Sequence, residues 1–306
     1  AASHRVPLWK YIAGDAIVSL PLPEIQIFGG GAHADRRIDI QDFMVMPLSA
    51  ETFDQALQMT AEVYRIAGEI MSDEGKRTGV ADEGGWWPNF DTNEEGLEML
   101  VRTIEKAGFT PGEDLGISLD VAGSEFGEEG TYRLGLEGRT LDTDGFIELL
   151  GCWIEAYPIV SIEDPLAEDD HEGMKQFTLA YGDRIQIVGD DYLVTNAGKI
   201  RDAISNGTCN AALIKPNQSG TVSETLDAVN AAKNGGWGTI ISARSGDTED
   251  VTIAHLAVGW NSGQLKVGSF ARSERMAKWN EGLRIAEQMS SPVRYAGRNA
   301  LYLNSA

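Results

Sequence analysis

The chain is short of the residues that would make its chemistry easy to place. Cys152 and Cys209 are its only two cysteines in 306 residues, both in apolar stretches and without CxxC spacing. A disulfide framework is therefore not expected, and a reducing compartment is the default. Histidine numbers four. His4, His171 and His255 have no catalytic context, and no Ser-His-Asp or Cys-His pairing stands out, which disfavours covalent hydrolysis. Basic residues are scarce relative to acidic ones, 25 Lys and Arg against 47 Asp and Glu, for a formal charge of −22. Such a chain repels phosphate backbones, so no nucleic-acid partner is expected, and an anionic substrate would need a local basic cluster or bound cations. No apolar run reaches the length of a membrane span and no signal peptide opens the sequence. A cytoplasmic protein without a membrane partner is the expectation.

What is present is a rhythm. Hydrophobic residues make up 42%, enough for one large core, and the length suits a barrel or a big sandwich. Short β-rich runs recur, each followed by a helical pattern: LGISLD (115–120), IVSIED (159–164), IQIVGDD (185–191), AALIK (211–215), GTIIS (238–242) and QLKVG (264–268). From Glu163 onward their ends are roughly 25 residues apart, the length of a βα unit. The runs are continuous rather than alternating, as strands buried on both faces are. Thr92 to Glu95 form a capping box ahead of Leu97, Leu100, Val101 and Ile104. The stretches 223–233 and 248–260 carry similar apolar stripes. TGVADEGG (78–85) reads as an earlier strand, and 21–41 as two extended runs around a Gly-rich loop. Successive βα units imply a barrel or a doubly wound sheet. No GxGxxG or Walker loop opens the first units, so an α/β barrel is favoured, as one main domain.

Polar residues terminate these strands. Asp120, Glu163 and Asp190 end three of them, Lys215 another, and GTIIS runs into Arg244 and Ser245. Lys266 lies within QLKVG, and Glu83 follows Asp82 at the end of the earlier run. In a barrel the C-terminal strand ends meet at one face, so these charges would converge. Three carboxylates from separate strands make a hard oxygen site suited to Mg²⁺. Strand-terminal acids also cap helices or face water, and a single lysine often snorkels to the surface. Lys215, buried near a cation and Lys266, is expected to have a lowered pKa and to serve as a general base. Arg244 offers a planar fork that matches phosphate or phosphonate oxygens. His33, after Gly29-Gly30-Gly31-Ala32, would by itself be an ordinary loop residue.

The motifs GGGAHA, DIQDFMVMP, ADEGG, SLDVAGSEF, VSIEDPLAEDD, VGDDYLVTN, LIKPNQSGT, SARSGDTED and ARSERMAKWN, in this order, together resemble the enolase family from about Val6 nearly to the end. The resemblance implies a modified TIM barrel whose second strand is antiparallel. It also implies a preceding N-terminal α+β domain missing from this chain, so that 1–15 would be the tail of that capping domain and 16–306 the catalytic barrel. It implies Asp120, Glu163 and Asp190 as Mg²⁺ ligands, Lys215 as the base that removes an α-proton, and Glu83 as the acid assisting a leaving hydroxide. Lys266 would hold the substrate carboxylate, Arg244 and Ser245 its phosphate, with Gln41, Asp42 and His33 as further contacts. A proton beside a carboxylate is barely acidic, and cations at the carboxylate oxygens offset the charge its removal creates; the superfamily is a standard example of a Lys or His base working with Mg²⁺.

The sequence departs from the family where a hydroxyl would leave. Ala243 stands where enolases have His, Asp42 where they have Glu, and Trp86-Trp87 where one aromatic or aliphatic residue and a small one are usual. The family's N-terminal loop serine for a second Mg²⁺ is absent. The expectation is a paralogue that uses the enolate platform on a small anionic phosphate or phosphonate carboxylate, such as carboxyphosphonoenolpyruvate synthase in phosphonate antibiotic biosynthesis. The alternatives are a phosphopyruvate hydratase making phosphoenolpyruvate from 2-phosphoglycerate, and a non-catalytic enolase-fold binding protein. The resemblance leaves the assembly open between a homodimer and a higher homo-oligomer.

Overall fold

The apolar runs fold as strands. A computed structural model describes residues 1–289 and 292–301. It contains a closed eight-stranded barrel: β1 (Leu22–Gly29), β2 (Asp42–Pro47), β3 (Leu115–Asp120), β4 (Ile159–Glu163), β5 (Gln186–Gly189), β6 (Ala211–Ile214), β7 (Gly238–Ser242) and β8 (Gly263–Gly268). β2 runs antiparallel to both β1 and β3. All other pairs, including the closing pair β1–β8, are parallel. The exception has a simple origin. Residues 30–41 form no crossover helix, only a short 3₁₀ turn at Gly31–Ala34, and a chain that doubles back without a crossover pairs antiparallel.

Helices coat the barrel, most of them started by a side-chain cap. Thr52, Thr92, Asp142, Asp170, Asn196 and Thr221 each accept a main-chain N–H in the first turn of the helix that follows. The segment before the barrel includes the helix Leu8–Ala13, which lies against it: Trp9 is buried and its indole N–H donates to Gln288 at 3.0 Å. A small antiparallel sheet, Gly127–Glu128, Thr131–Leu134 and Arg139–Asp142, follows β3. Among the described residues no helix is long and apolar enough to cross a membrane.

TGVADEGG is not a barrel strand. Val80 and Trp86 pair with each other across a tight turn in which the Gly84 N–H donates to Ala81 at 3.0 Å, and Trp86 makes a single bridge to Phe28 of β1. The Asp-Glu-Gly-Gly run is turn chemistry and outweighs the short apolar lead-in. Trp86 fixes this turn to the helix Phe53–Asp73. Its ring stacks on Tyr64 at 4.8 Å, its N–H donates to the Tyr64 carbonyl at 2.8 Å, and it lies so close to Gly68 that any β-carbon there would come within 2.4 Å of the ring.

The barrel interior is divided. Val188, Ala211, Leu213 and Ile240 form an apolar wall. Leu22, Met46, Leu48 and Leu301 form a second apolar cluster, and between them the interior is polar: Gln186 and Gln264 exchange amide hydrogen bonds at 3.0 and 2.7 Å, Gln186 also donates to Ser161 at 3.1 Å, and Ser118 donates to Glu24. Side chains alternate along a strand, so Glu24 and Gln26, Ser118 and Asp120, Ser161 and Glu163, and Gln264 and Lys266 each stack in the same direction. The charged upper members form the site.

Candidate active site

The ends of β3 to β8 reach one mouth of the barrel, and the turn that carries Glu83 packs beside it. Lys266 is at the centre of that mouth, 5% exposed, with Nζ 2.8 Å from Asp120 Oδ2, 2.8 Å from Glu163 Oε2 and 3.8 Å from Asp42 Oδ2. Gln41 donates to Asp120 at 3.1 Å, and its main-chain N–H donates to the Asp120 carbonyl at 3.0 Å. Lys215, just past β6, pairs with Asp190 Oδ2. Gln218 donates to Asp190 Oδ1 at 3.0 Å, and Thr195 in turn donates to Gln218 at 2.6 Å and accepts the Lys215 N–H at 2.9 Å. Asp164 accepts the N–H groups of Asp190 and Asp191 at 2.9 and 2.7 Å, which sets the turn that aims Asp190 inward.

On the opposite side His33 Nδ1 lies 3.0 Å from Asp42 Oδ1, which also accepts from Gln26. The same Gln26 amide accepts the Gly85 N–H at 2.7 Å, tying Asp42 to the turn that carries Glu83. That turn is pinned twice more, by Tyr64 donating to the Gly84 carbonyl at 3.0 Å and by the Ser269 N–H donating to the Glu83 carbonyl at 2.8 Å. Arg244 and Ser245 are exposed on the loop after β7. Ala243 is buried before them, its N–H donating to the Lys266 carbonyl at 3.0 Å.

The protonation pattern follows from crowding. Burial raises the Glu163 pKa well above its ordinary value, and the charge of Asp120 adds to this. Burial likewise raises Glu83, helped by Asp42, so Glu83 is biased to carry a proton. Without a bound cation, burial pulls the Lys215 pKa down and Lys266 adds a smaller lowering effect, but the charges of Asp190 and Glu163 outweigh both and the net shift is upward. The lowered value expected from the sequence applies to Lys215 beside a bound cation.

His33 is also desolvated, yet Asp42 holds its pKa up at about 9, while His33 holds Asp42 down at about 2. Relative to ordinary values of 6.5 and 3.8, stability from this pair is fully present between those two values. It is lost as pH rises through about 9 for His33, or falls through about 2 for Asp42. The deficit of His33→Asn relative to the parent, measured by chemical denaturation, is expected to be of the order of 2 kcal/mol at pH ~6 and to shrink above pH ~9. An unchanged deficit across that range would show that the ion pair is not its cause.

The donor set fits a hard divalent cation. Asp120, Glu163 and Asp190 are buried and supply only oxygen, and Glu163 Oε1 is buried without any partner. Lys266 and Lys215 now act as their counter-cations, and the three are spread more widely than two tighter groups whose ligand atoms all lie within 4.8 Å of one another. Those are Asp164, Asp190 and Asp191, and His33, Asp42 and Glu83.

With this geometry in hand, the comparisons are specific. Residues 17–304 match the family model for the enolase C-terminal TIM barrel domain. The chain is 51% identical over 298 residues to Enolase 1 of Desulfitobacterium hafniense (strain Y51), an alignment covering 96% of this chain and 68% of that protein. The chain belongs to the enolase family. It is an enzyme of the magnesium-dependent enolase kind, and the antiparallel second strand is the one that the resemblance implied.

Several contributors to the site carried no functional assignment in the sequence. Gln26 was legible only as one of two polar residues, with Glu24, in the run of β1. Asp164 looked like a neighbour of Glu163, and Gln218 and Thr195 like loop residues. Arg275 and Lys278 belong to ARSERMAKWN, a motif whose order was informative while its individual side chains had no role.

Proposed function

We propose that this protein removes the α-proton of a small carboxylate that also carries a phosphate or phosphonate, as an enolase paralogue of the carboxyphosphonoenolpyruvate synthase type. Lys215 takes the proton, Lys266 holds the carboxylate, and Arg244 with Ser245 grips the phosphorus oxygens. Gln41 and His33 line the same mouth and orient the substrate between these groups. Magnesium held by Asp120, Glu163 and Asp190 would supply positive charge to the substrate carboxylate as the proton leaves. Glu83, whose pKa burial raises, is the available acid.

One contrast carries this reading. The base, the carboxylate ligands and the anion grip all keep their polar groups. On the side of Asp42 the polar groups are fewer: Asp42 is 0% exposed with Oδ1 taken by Gln26 and His33, leaving Oδ2 without a hydrogen-bond partner among the described residues, and position 243 offers only a methyl group, 5% exposed. A second reading, phosphopyruvate hydratase, is favoured by the identity with Enolase 1 and by the retained Glu83.

The two separate in one experiment. With Mg²⁺ and 2-phosphoglycerate in D₂O, the paralogue reading expects exchange of the α-proton by NMR with little or no phosphoenolpyruvate by ultraviolet absorbance. Sustained phosphoenolpyruvate formation would establish the hydratase, whether or not exchange runs ahead of it. Neither exchange nor Mg²⁺-dependent binding of a phosphonate would overturn both. Ala243→His is expected to raise elimination by about 10²-fold, the lower range for a positioned acid–base group; no increase would show that position 243 is not what limits it.

A further inference from the structure

The helix Ser273–Gln288 sends two cations inward that the proposal above does not use. Arg275 and Lys278 are each 0% exposed. Each has one long ion pair, Arg275 Nε to Glu274 Oε1 at 3.7 Å and Lys278 Nζ to Asp247 Oδ2 at 3.5 Å. Both instead donate to main-chain oxygens of the loop after β7. Arg275 Nη1 donates to the Arg244 carbonyl at 2.8 Å, and Nη2 to the Ser245 carbonyl. Lys278 donates to the Thr248 carbonyl at 2.5 Å and to that of Glu274 at 2.9 Å. Burying a guanidinium whose ion pair is this long is costly, so its place beside this loop calls for a reason.

Two successive carbonyls turned to one side determine where the next amides face. In a planar trans peptide the C=O and the following N–H point in opposite directions. The N–H groups of Ser245 and Gly246 therefore point away from Arg275, towards the exposed side of the loop. Among the described residues neither N–H has a hydrogen-bond partner, and Arg244, Ser245 and Gly246 are all exposed. Successive unpaired amides form an anion-binding concavity. Here a full positive charge lies directly behind them.

We propose that Arg275 is a positioning residue for anion binding: by holding the Arg244 and Ser245 carbonyls it aims the Ser245 and Gly246 amides at the phosphate or phosphonate of the substrate. This rests on the reading of Arg244 and Ser245 as the anion grip. The side chains at 244 and 245 then supply only part of the cradle, and the main chain, set from behind, supplies the rest.

The test is calorimetric titration of the full chain with inorganic phosphate at low salt, alongside the α-proton exchange assay. Arg275→Lys keeps the charge but loses the fork, and is expected to weaken phosphate about tenfold, the worth of one net hydrogen bond. In the exchange assay KM is expected to rise by more than kcat falls. Gly246→Pro removes one of the two amides at an exposed position where a β-carbon would meet nothing within 4 Å. It is expected to weaken phosphate to a similar degree, and it decides the matter if the Arg275 variant does not fold. Arg244→Ala is the control for the underlying reading. If it binds phosphate like the parent, the anion grip itself is wrong. If it loses phosphate while Arg275→Lys and Gly246→Pro bind normally, only the role of Arg275 is overturned.

Discussion

Replacing Lys215 with alanine is expected to lower α-proton exchange and turnover by about 10²- to 10⁴-fold, the range for removal of a positioned general base. The same change has a second, separable consequence. Lys215 is the ammonium partner of a buried carboxylate, Asp190, whose pKa lies below normal: burial would raise it, but Lys215 outweighs that effect. Removing one member of a buried pair typically costs 3–5 kcal/mol, roughly, because the other is left uncompensated. Lys215→Ala is therefore expected to be destabilised without Mg²⁺ and largely restored by it, since a cation at Asp190 takes over the charge compensation. Activity is not restored, because the cation cannot accept the proton. Thermal melts with and without Mg²⁺, run beside the exchange assay, check both. Exchange at the parental rate would remove Lys215 from the base role.

Glu163→Gln is expected to act with opposite signs on the metal-free and metal-loaded protein. Without metal, Glu163 is a crowded buried carboxylate with its pKa pushed well up, first by burial and then by Asp120, and with one oxygen unpartnered. A glutamine keeps the oxygen that accepts from Lys266 at 2.8 Å and removes the charge, so the metal-free variant should be at least as stable as the parent. With metal, the loss of one anionic ligand should abolish most of the stabilisation. An ion at a hundred times its dissociation constant contributes about 2.7 kcal/mol, and for a chain of this size each kcal/mol is worth roughly 2–4 °C in Tm. The parent is thus expected to gain about 5–10 °C and the variant little. Turnover should fall by at least about 10³-fold, since the cation's several kcal/mol act where charge develops. A parent whose melting temperature ignores Mg²⁺ would remove the metal assignment for all three carboxylates.

The relation of sequence to site is clearest in the strands. Continuous apolar runs with a charged residue in or just beyond them identify β3 to β8 and the rim at which they end, because burial on both faces requires the first and convergence of strand ends follows from closing a barrel. Asp120, Glu163, Asp190, Lys215, Arg244 and Lys266 were legible for that reason, and the order of motifs carried the family. Local composition could not show which neighbours each charge would meet. Lys266 became the hub of three carboxylates because β8 closes against β1, a pairing between the two ends of the barrel in sequence. Lys215, expected to be acidified beside a bound cation, has its pKa raised in the metal-free site, where the charges of Asp190 and Glu163 outweigh burial. Glu83 was read as the end of a strand and is carried on a turn, held by Gln26, Tyr64 and Ser269 from three distant segments.

By itself, then, the sequence determined the fold family, the strands and the identity of the charged residues at their ends, because those depend on patterns within a few residues of each other. Only the tertiary structure decided the direction in which the pKa values of Glu83, Glu163 and Lys215 shift, the partners of Asp42 and the direction of the amides at 245 and 246. Each of these depends on burial and on the summed charge of groups far apart along the chain, which are quantities that exist only once the barrel has closed.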